Sequence, residues 1–374
     1  MKEESKKWNI SIELLRIISM IMIIILHFFT YSNVIPQSNT ISAFNISSTI
    51  IHTICNVAVN CYILISGYFC INSKFKASKL YKIISEVFLY SILIYVLMLV
   101  TKQISFSFKG LIYSFLPTLT RQYWFVTCYV GTYIISPIIR FISEKINKTE
   151  HKTILLIGFL LFVLYYNLFF FCDNLNFGGA TGIVWFVYLY FWGIYFQKYY
   201  QKDYSYKNFI NYGILVLLSL ASRIPFWIIY FLTKKNIFLQ GASIFDSVYN
   251  SIFPFLTSIF LFKAFLNLKI KKANVKVVRF LSSSTFAVYI LHENPYLRNI
   301  IWKTIDFNSL VGESSIKLII YTFTVSIIIF LIGIIIDKMF KLVVNKIFWN
   351  KRILNSIDNV CCKMWNKIQD KMLN

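Results

Sequence analysis

"ELLRIISMIMIIILHFF", residues Glu13 to Phe29, is apolar enough for the interior of a lipid bilayer yet carries a glutamate, an arginine and a histidine. Arg16 and His27 are eleven positions apart. At 100° per residue that spacing returns to within about 20° of the same helical face, so the two share a stripe roughly 16 Å long. Glu13 precedes Arg16 by one turn, at ion-pair spacing. Each charged group at membrane depth costs about 2.5 to 3.5 kcal/mol on insertion scales, so the stripe is expected to face a protein interior or a polar cavity. Taken alone it fits either a structural ion pair plus a core histidine bonded to a carbonyl, or a functional site.

The rest of the chain repeats the apolar pattern without that chemistry. Of 374 residues 57% are hydrophobic and only 14% charged, with 12 glycines and 6 prolines, a balance that excludes an ordinary soluble domain. Ten segments reach bilayer length: residues 10–31, 46–69, 83–101, 122–142, 153–172, 181–198, 210–232, 247–267, 277–296 and 316–340. Lipid offers backbone groups no partner, so each must be a helix. The expected fold is therefore an all-α membrane protein, a bundle of about ten transmembrane helices formed by residues 1–340, with both termini cytoplasmic.

With that orientation, 28 of the 38 Lys and Arg residues fall on the inner side. Lys2, Lys6 and Lys7 precede the first span, and Lys74, Lys76, Lys79 and Lys82 follow the second. Attraction of such residues to an anionic inner leaflet accounts for the net charge of +23, and nucleic acid is not needed as a partner. No small-residue cleavage site follows the first apolar run, so it reads as a span and not as a signal peptide. The seven cysteines, Cys55, Cys61, Cys70, Cys128, Cys172, Cys361 and Cys362, lack metal-ligand spacing and read as apolar packing residues. Residues 341–374 place Ile347, Ile353, Ile357, Val360, Met364, Ile368 and Met372 between lysines, the pattern of a basic amphipathic helix lying on the inner leaflet or on the protein's own loops.

Four further stretches give the stripe its company: "NVAVNCYILISGYF" (Asn56–Phe69), the basic "KFKASKLYK" (Lys74–Lys82), "YWFVTCYVGTYIISPII" (Tyr123–Ile139) and "SSSTFAVYILHENP" (Ser282–Pro295). In this order, over the whole membrane portion, they resemble the integral membrane acyltransferase family 3, whose members O-acylate cell-surface polysaccharides and related sugars. The resemblance implies that Arg16 and His27, with Glu13 shortly before them, form the core of an active site. It matches the family's Ser-Gly-Tyr turn with Ser66, Gly67 and Tyr68, its tryptophan-led fourth helix with Trp124, Tyr133 and Pro137, and its Tyr-x-x-His with Tyr289 and His292. Two positions depart from the family: Asn60 replaces a proline common in the second span, and the cluster after that span is lysine instead of arginine.

On this reading a cytoplasmic acyl-CoA, acetyl-CoA in the first instance, is the donor substrate, and no bound cofactor or metal is expected. Lys79 and Lys82 are candidate contacts for its phosphates, or alternatively part of the lipid-facing basic fringe. A neutral His27 imidazole takes the proton of a sugar hydroxyl as it attacks the thioester, or is itself transiently acylated. Arg16 holds phosphate or stabilises developing charge, oriented by Glu13. His292 is a second base or an interfacial histidine bonded to loop backbone. Arg223, two residues before Pro225, is expected to face a cavity, because it is too deep to snorkel. Tyr68, Trp124 and Tyr289 are possible pocket residues. His52, His151 and Asp173 are expected at loops or interfaces. The expected function is transfer of an acetyl or other acyl group to a hydroxyl of a cell-surface polysaccharide or its precursor, in a multi-pass plasma-membrane protein. Any extracytoplasmic second step is expected to involve a separate partner or to be absent. A transporter or flippase for a lipid-linked sugar, and a non-catalytic membrane partner, are the alternatives.

Overall fold

Asn9 starts the first helix, α1 (Ile10–Tyr31), by accepting hydrogen bonds from the amides of Ser11 (3.0 Å) and Ile12 (3.4 Å) with its side-chain oxygen. The computed structural model describes residues 9–32, 42–73, 75–169, 179–201, 203–270, 275–303 and 314–373. The side chains of residues 239, 240, 303 and 364–373 are outside that description. Lys2, Lys6, Lys7, Lys74, Cys172 and Asp173, and the side chains of Met364, Ile368 and Met372, therefore lie outside the described residues.

All regular structure among the described residues is helical. Among the described residues, seven helical stretches are long and apolar enough to cross a membrane: Ile10–Tyr31, Ala43–Cys70, Ala77–Val100, Trp124–Lys145, Lys148–Leu168, Ser205–Thr233 and Ser315–Ile347. The other three expected spans coincide with shorter or broken pieces, Ile183–Tyr199, Ile252–Asn267, and Val275–Ser282 followed by Thr285–Glu293. The chain is a multi-pass helical membrane protein.

The breaks are bridged by side chains. The second span divides into α2 (Ala43–Cys55) and α3 (Ala58–Cys70), and Asn56 at the break donates to the backbone carbonyl of Asp246 at 2.6 Å. Residues 242–251, expected in part to open a span at 247, are instead irregular. Backbone of that kind is tolerated at membrane depth only where protein satisfies it. Asn60 donates to the Tyr249 carbonyl at 2.7 Å and accepts from the Trp185 indole at 3.0 Å, and Asn250 donates to the Phe162 carbonyl at 3.0 Å. Asn60 thus fastens this segment with an amide that a proline could not supply.

The bundle closes on glycines. A Cβ at Gly193, in the helix Ile183–Tyr199, would lie 2.5 Å from the Leu64 carbonyl and the Tyr68 amide nitrogen, and one at Gly67 would lie 2.7 Å from Tyr190 backbone. Helices in lipid gain little from burying apolar surface against one another, so such small-residue crossings carry the packing. Ser66, Gly67 and Tyr68 are helical, not a turn, because this crossing continues to the end of α3. With the glycines fixing α3 against its neighbour, α1 lies buried in the core, with Ile12, Leu15, Ile24 and Phe28 fully enclosed.

Candidate functional site

The stripe on α1 ends in two separate polar environments. At its N-terminal end, Arg16 Nη1 lies 2.7 Å from Glu13 Oε2, the pair expected from i, i+3 spacing. Both line a cavity of about 240 Å³ whose other charged walls are Lys79 and Arg140, with Tyr129, Tyr133 and Tyr190 among the polar ones. Arg140 is held by Glu144 at 2.7 Å, and Lys79 Nζ stands 4.8 Å from the centre of the Tyr133 ring. Three cations facing one acid leave the cavity net positive. Such a wall suits an anion, phosphate foremost.

Lys82, expected beside Lys79, takes another direction. Its ammonium lies 5.9 Å from the Trp349 ring, and it does not line the cavity. One helical turn separates positions 79 and 82, but three residues advance 300°, enough to face the second lysine toward the C-terminal segment instead.

At the other end His27 meets α13 (Thr285–Glu293), the helix that ends in His292 and Glu293. Helix α4 is Ala77–Val100, and α5–α12 are the helical stretches Phe108–Phe115, Trp124–Lys145, Lys148–Leu168, Ile183–Tyr199, Ser205–Thr233, Ile237–Gly241, Ile252–Asn267 and Val275–Ser282. His27 Nδ1 is 2.9 Å from His292 Nε2 and 3.3 Å from Glu293 Oε2. His292 Nδ1 lies 2.6 Å from the Val288 carbonyl, which can only accept, so this nitrogen donates. With both rings neutral, His292 Nε2 then holds a lone pair, His27 Nδ1 supplies the proton between them, and His27 Nε2 is left with the free lone pair. Two fixed partners thus assign the tautomer of His27.

Glu293 is positioned from its far side. Its Oε1 accepts from Tyr31 and from Arg298 Nη1, both at 3.0 Å, and the Arg298 guanidinium stacks 4.5 Å from the Tyr31 ring centre. Among the described residues its Oε2 has no hydrogen-bond partner, and it faces His27. A carboxylate so placed stabilises an imidazolium once His27 has accepted a proton. Free lone pair, oriented ring and waiting counter-charge are the parts of a general base.

The sequence singled out His292 but not Tyr31 or Arg298, which complete the cluster. Arg298 lies past the expected span in what reads as a loop, and only the proximity of "HENP" to it hinted at a shared site. Arg140, Tyr129 and Tyr190 were equally silent in the sequence. Of the possible pocket residues, Tyr289 is buried and meets His292 edge-on at 6.0 Å. Trp124 stacks on Tyr249 at 6.0 Å, and Tyr68 packs edge-on against Phe262 at 5.8 Å. Neither lines the cavity. Arg223, expected to face a cavity, is held by an acid. Its Nη2 is 2.6 Å from both carboxylate oxygens of Asp246, which also accept from Thr53 and Ser219 at 3.1 Å. A buried charge closed by its partner in this way ties the kink before Pro225 to the irregular segment 242–251. His151, expected at a loop or interface, is fully buried and bonded to the Phe191 carbonyl at 3.0 Å.

A family model described as "Acyltransferase domain", acyltransferase family 3, matches residues 9–338. No curated protein and no solved structure matches the chain at a significant level.

Proposed function

The chain belongs to acyltransferase family 3, and from that premise we propose that it moves an acetyl or other acyl group from acyl-CoA to a hydroxyl of a cell-surface polysaccharide or its sugar precursor, at the plasma membrane. The observation that carries this reading is the two-ended stripe on α1. Its Arg16 end opens on a cationic cavity, and its His27 end carries an imidazole whose free nitrogen, orienting partners and counter-carboxylate are all supplied.

In this reading the donor's phosphates sit among Arg16, Lys79 and Arg140, with Glu13 fixing Arg16. The thioester reaches His27 along the helix axis. The acceptor oxygen attacks the thioester carbonyl while His27 Nε2 takes the hydroxyl proton, and Glu293 balances the imidazolium. Collapse of the tetrahedral intermediate breaks the carbon–sulfur bond, and the departing thiolate recovers the proton from His27. The products are an acyl ester and free CoA. Lysine in place of the family's arginines supplies charge to the phosphates without planar, bidentate geometry.

Mass analysis of surface glycans from cells with and without the gene tests the substrate assignment. The reading expects acyl esters on a glycan component that vanish with the gene and return with the wild-type chain. Glycans identical in the two strains would contradict it.

A further inference from the structure

Helix α4 begins without a cap of its own. Its N-cap position is Lys76, whose ammonium cannot accept a hydrogen bond, so the free amides of the first turn need acceptors from elsewhere. One acceptor comes from 280 positions away. Asp358 Oδ1 accepts from the Ser78 amide at 2.8 Å, and Oδ2 accepts from the Ser78 hydroxyl at 2.7 Å. Burial opposes ionisation of this carboxyl, yet the two Ser78 bonds and the Lys76 charge hold it below the usual carboxylate range. As an anion at a helix N-terminus it also meets the positive end of the helix dipole. Two turns further along α4 the Trp349 indole donates to the Ser85 hydroxyl at 2.9 Å. Seven residues return to within about 20° of the same face, so both contacts grip one stripe of α4.

The next residue, Lys79, turns about 100° off that stripe and lines the cationic cavity. Its ammonium stands over the Tyr133 ring, and the Tyr133 hydroxyl accepts from the Lys76 amide and donates to the Lys76 carbonyl, both at 3.2 Å. Phe75 stacks on the same ring at 5.2 Å and lines the cavity as well. The start of α4 is therefore held at two points, by Tyr133 of α6 beside the cavity and by Asp358 of the C-terminal helix Lys351–Leu373. A lysine is a point charge on a flexible stem, so the place of its charge depends on how firmly its backbone is fixed. Among the described residues none of the C-terminal helix lines the cavity, so Asp358 reaches the cavity only through α4. We propose that Asp358 is a positioning residue for donor binding: by capping the first turn of α4 it holds Lys79 in the wall of the cavity that receives the donor's phosphates. This rests on the acyl-CoA reading above and extends it to a residue beyond the stretch 9–338 that carries the family match.

The test measures acetyl-CoA binding by calorimetry to the full chain in lipid nanodiscs, for wild type, Asp358→Ala, Lys79→Ala and the double variant. Asp358→Ala should raise Kd roughly three- to tenfold, the order of one net hydrogen bond, and Lys79→Ala by as much or more. The double variant should bind no more weakly than Lys79→Ala alone, because a residue that acts through Lys79 then has nothing left to position. Hydrogen exchange on the same samples should show the Ser78 amide exchanging at least tenfold faster in Asp358→Ala, with the later turns of α4 unchanged. An unchanged Kd in Asp358→Ala overturns the proposal. A tighter Kd also overturns it, because Asp358 then competes with the donor for the N-terminus of α4. Additive losses in the double variant overturn it as well, because the C-terminal helix then supports the fold at large. A wild type that binds no acetyl-CoA contradicts the acyl-CoA reading itself; exchange at Ser78 then decides separately whether Asp358 holds this turn, and a rate unaffected by Asp358→Ala overturns that hold.

Discussion

Glu293 shows how one side chain can set the chemistry of another. It holds one carboxylate oxygen in bonds to Tyr31 and Arg298 and leaves the second for His27. Glu293→Gln keeps shape and removes the counter-charge. It should lower kcat by about ten- to a hundredfold, at or below the lower end of general acid–base contributions because the base itself is kept, while KM for the donor stays near the wild-type value. Steady-state kinetics on protein normalised to membrane content checks this, and an unchanged kcat would reduce Glu293 to a structural partner of Arg298. At the opposite end, Lys79→Glu places an anion in the cationic cavity and should raise the donor KM with less effect on kcat. Lys82→Glu, facing Trp349, should leave KM alone. The contrast between the two lysines is the check, since a general surface-charge effect would move both equally.

At the scale of elements, helix crossings decide where the reactive side chains point. Gly193 meets Leu64 and Tyr68 backbone, so Gly193→Val forces the two helices apart and should cost more than the ~1–3 kcal/mol usual for overpacking, because backbone cannot rotate away. Gly213, with nothing within 4 Å of an added Cβ, is the control, and Gly213→Ala should be neutral or slightly stabilising. Thermal unfolding of the detergent-solubilised variants compares them; equal melting temperatures would mean the crossing does not carry the packing. The helices were legible in the sequence where the apolar run was long, as in α1, because hydropathy registers length and burial. It does not register breaks. Of the irregular residues 242–251, those from 247 on read as the start of a span because Val248 and the adjoining helical Ile252 and Phe253 are apolar, while what makes the break tolerable is the distant Asn56 and Asn60. The same limit hid Arg223's partner. Asp246 is 23 positions away, and only the folded kink brings it within 2.6 Å.

For the whole molecule, the two-ended stripe implies a direction across the membrane. In the orientation expected from the lysine bias, the Arg16 end would lie at the cytoplasmic face, where acyl-CoA is made, and the His27 end toward the opposite face. Reporter fusions after Lys148 and Lys207 should report cytoplasm, and fusions after Lys109 and Lys235 the outside. A reversed pattern would remove donor entry from the cytoplasm. The sequence disclosed this axis because the spacing of Arg16 and His27 is local, within one helix. It did not disclose that His292 and Glu293 complete the far end, since that contact joins residues more than 260 positions apart. At the C-terminus the segment Lys351–Leu373 is helical, and Asp358 accepts from the Ser78 amide at 2.8 Å and its hydroxyl at 2.7 Å, bonding the tail to the first turn of α4. An amphipathic pattern states that one face is covered, not by what.

The central claim is that His27 is the chemical centre of acyl transfer. Acyl incorporation into the surface glycan by His27→Ala, normalised to protein in the membrane, tests it most directly. Alanine costs little in a helix, so insertion and expression should stay near normal, while loss of proton transfer should lower the rate about 10² to 10⁴-fold. A well-expressed His27→Ala variant that acylates the glycan at a near-normal rate would contradict the account, leaving His27 a packing residue joined to His292 and Glu293.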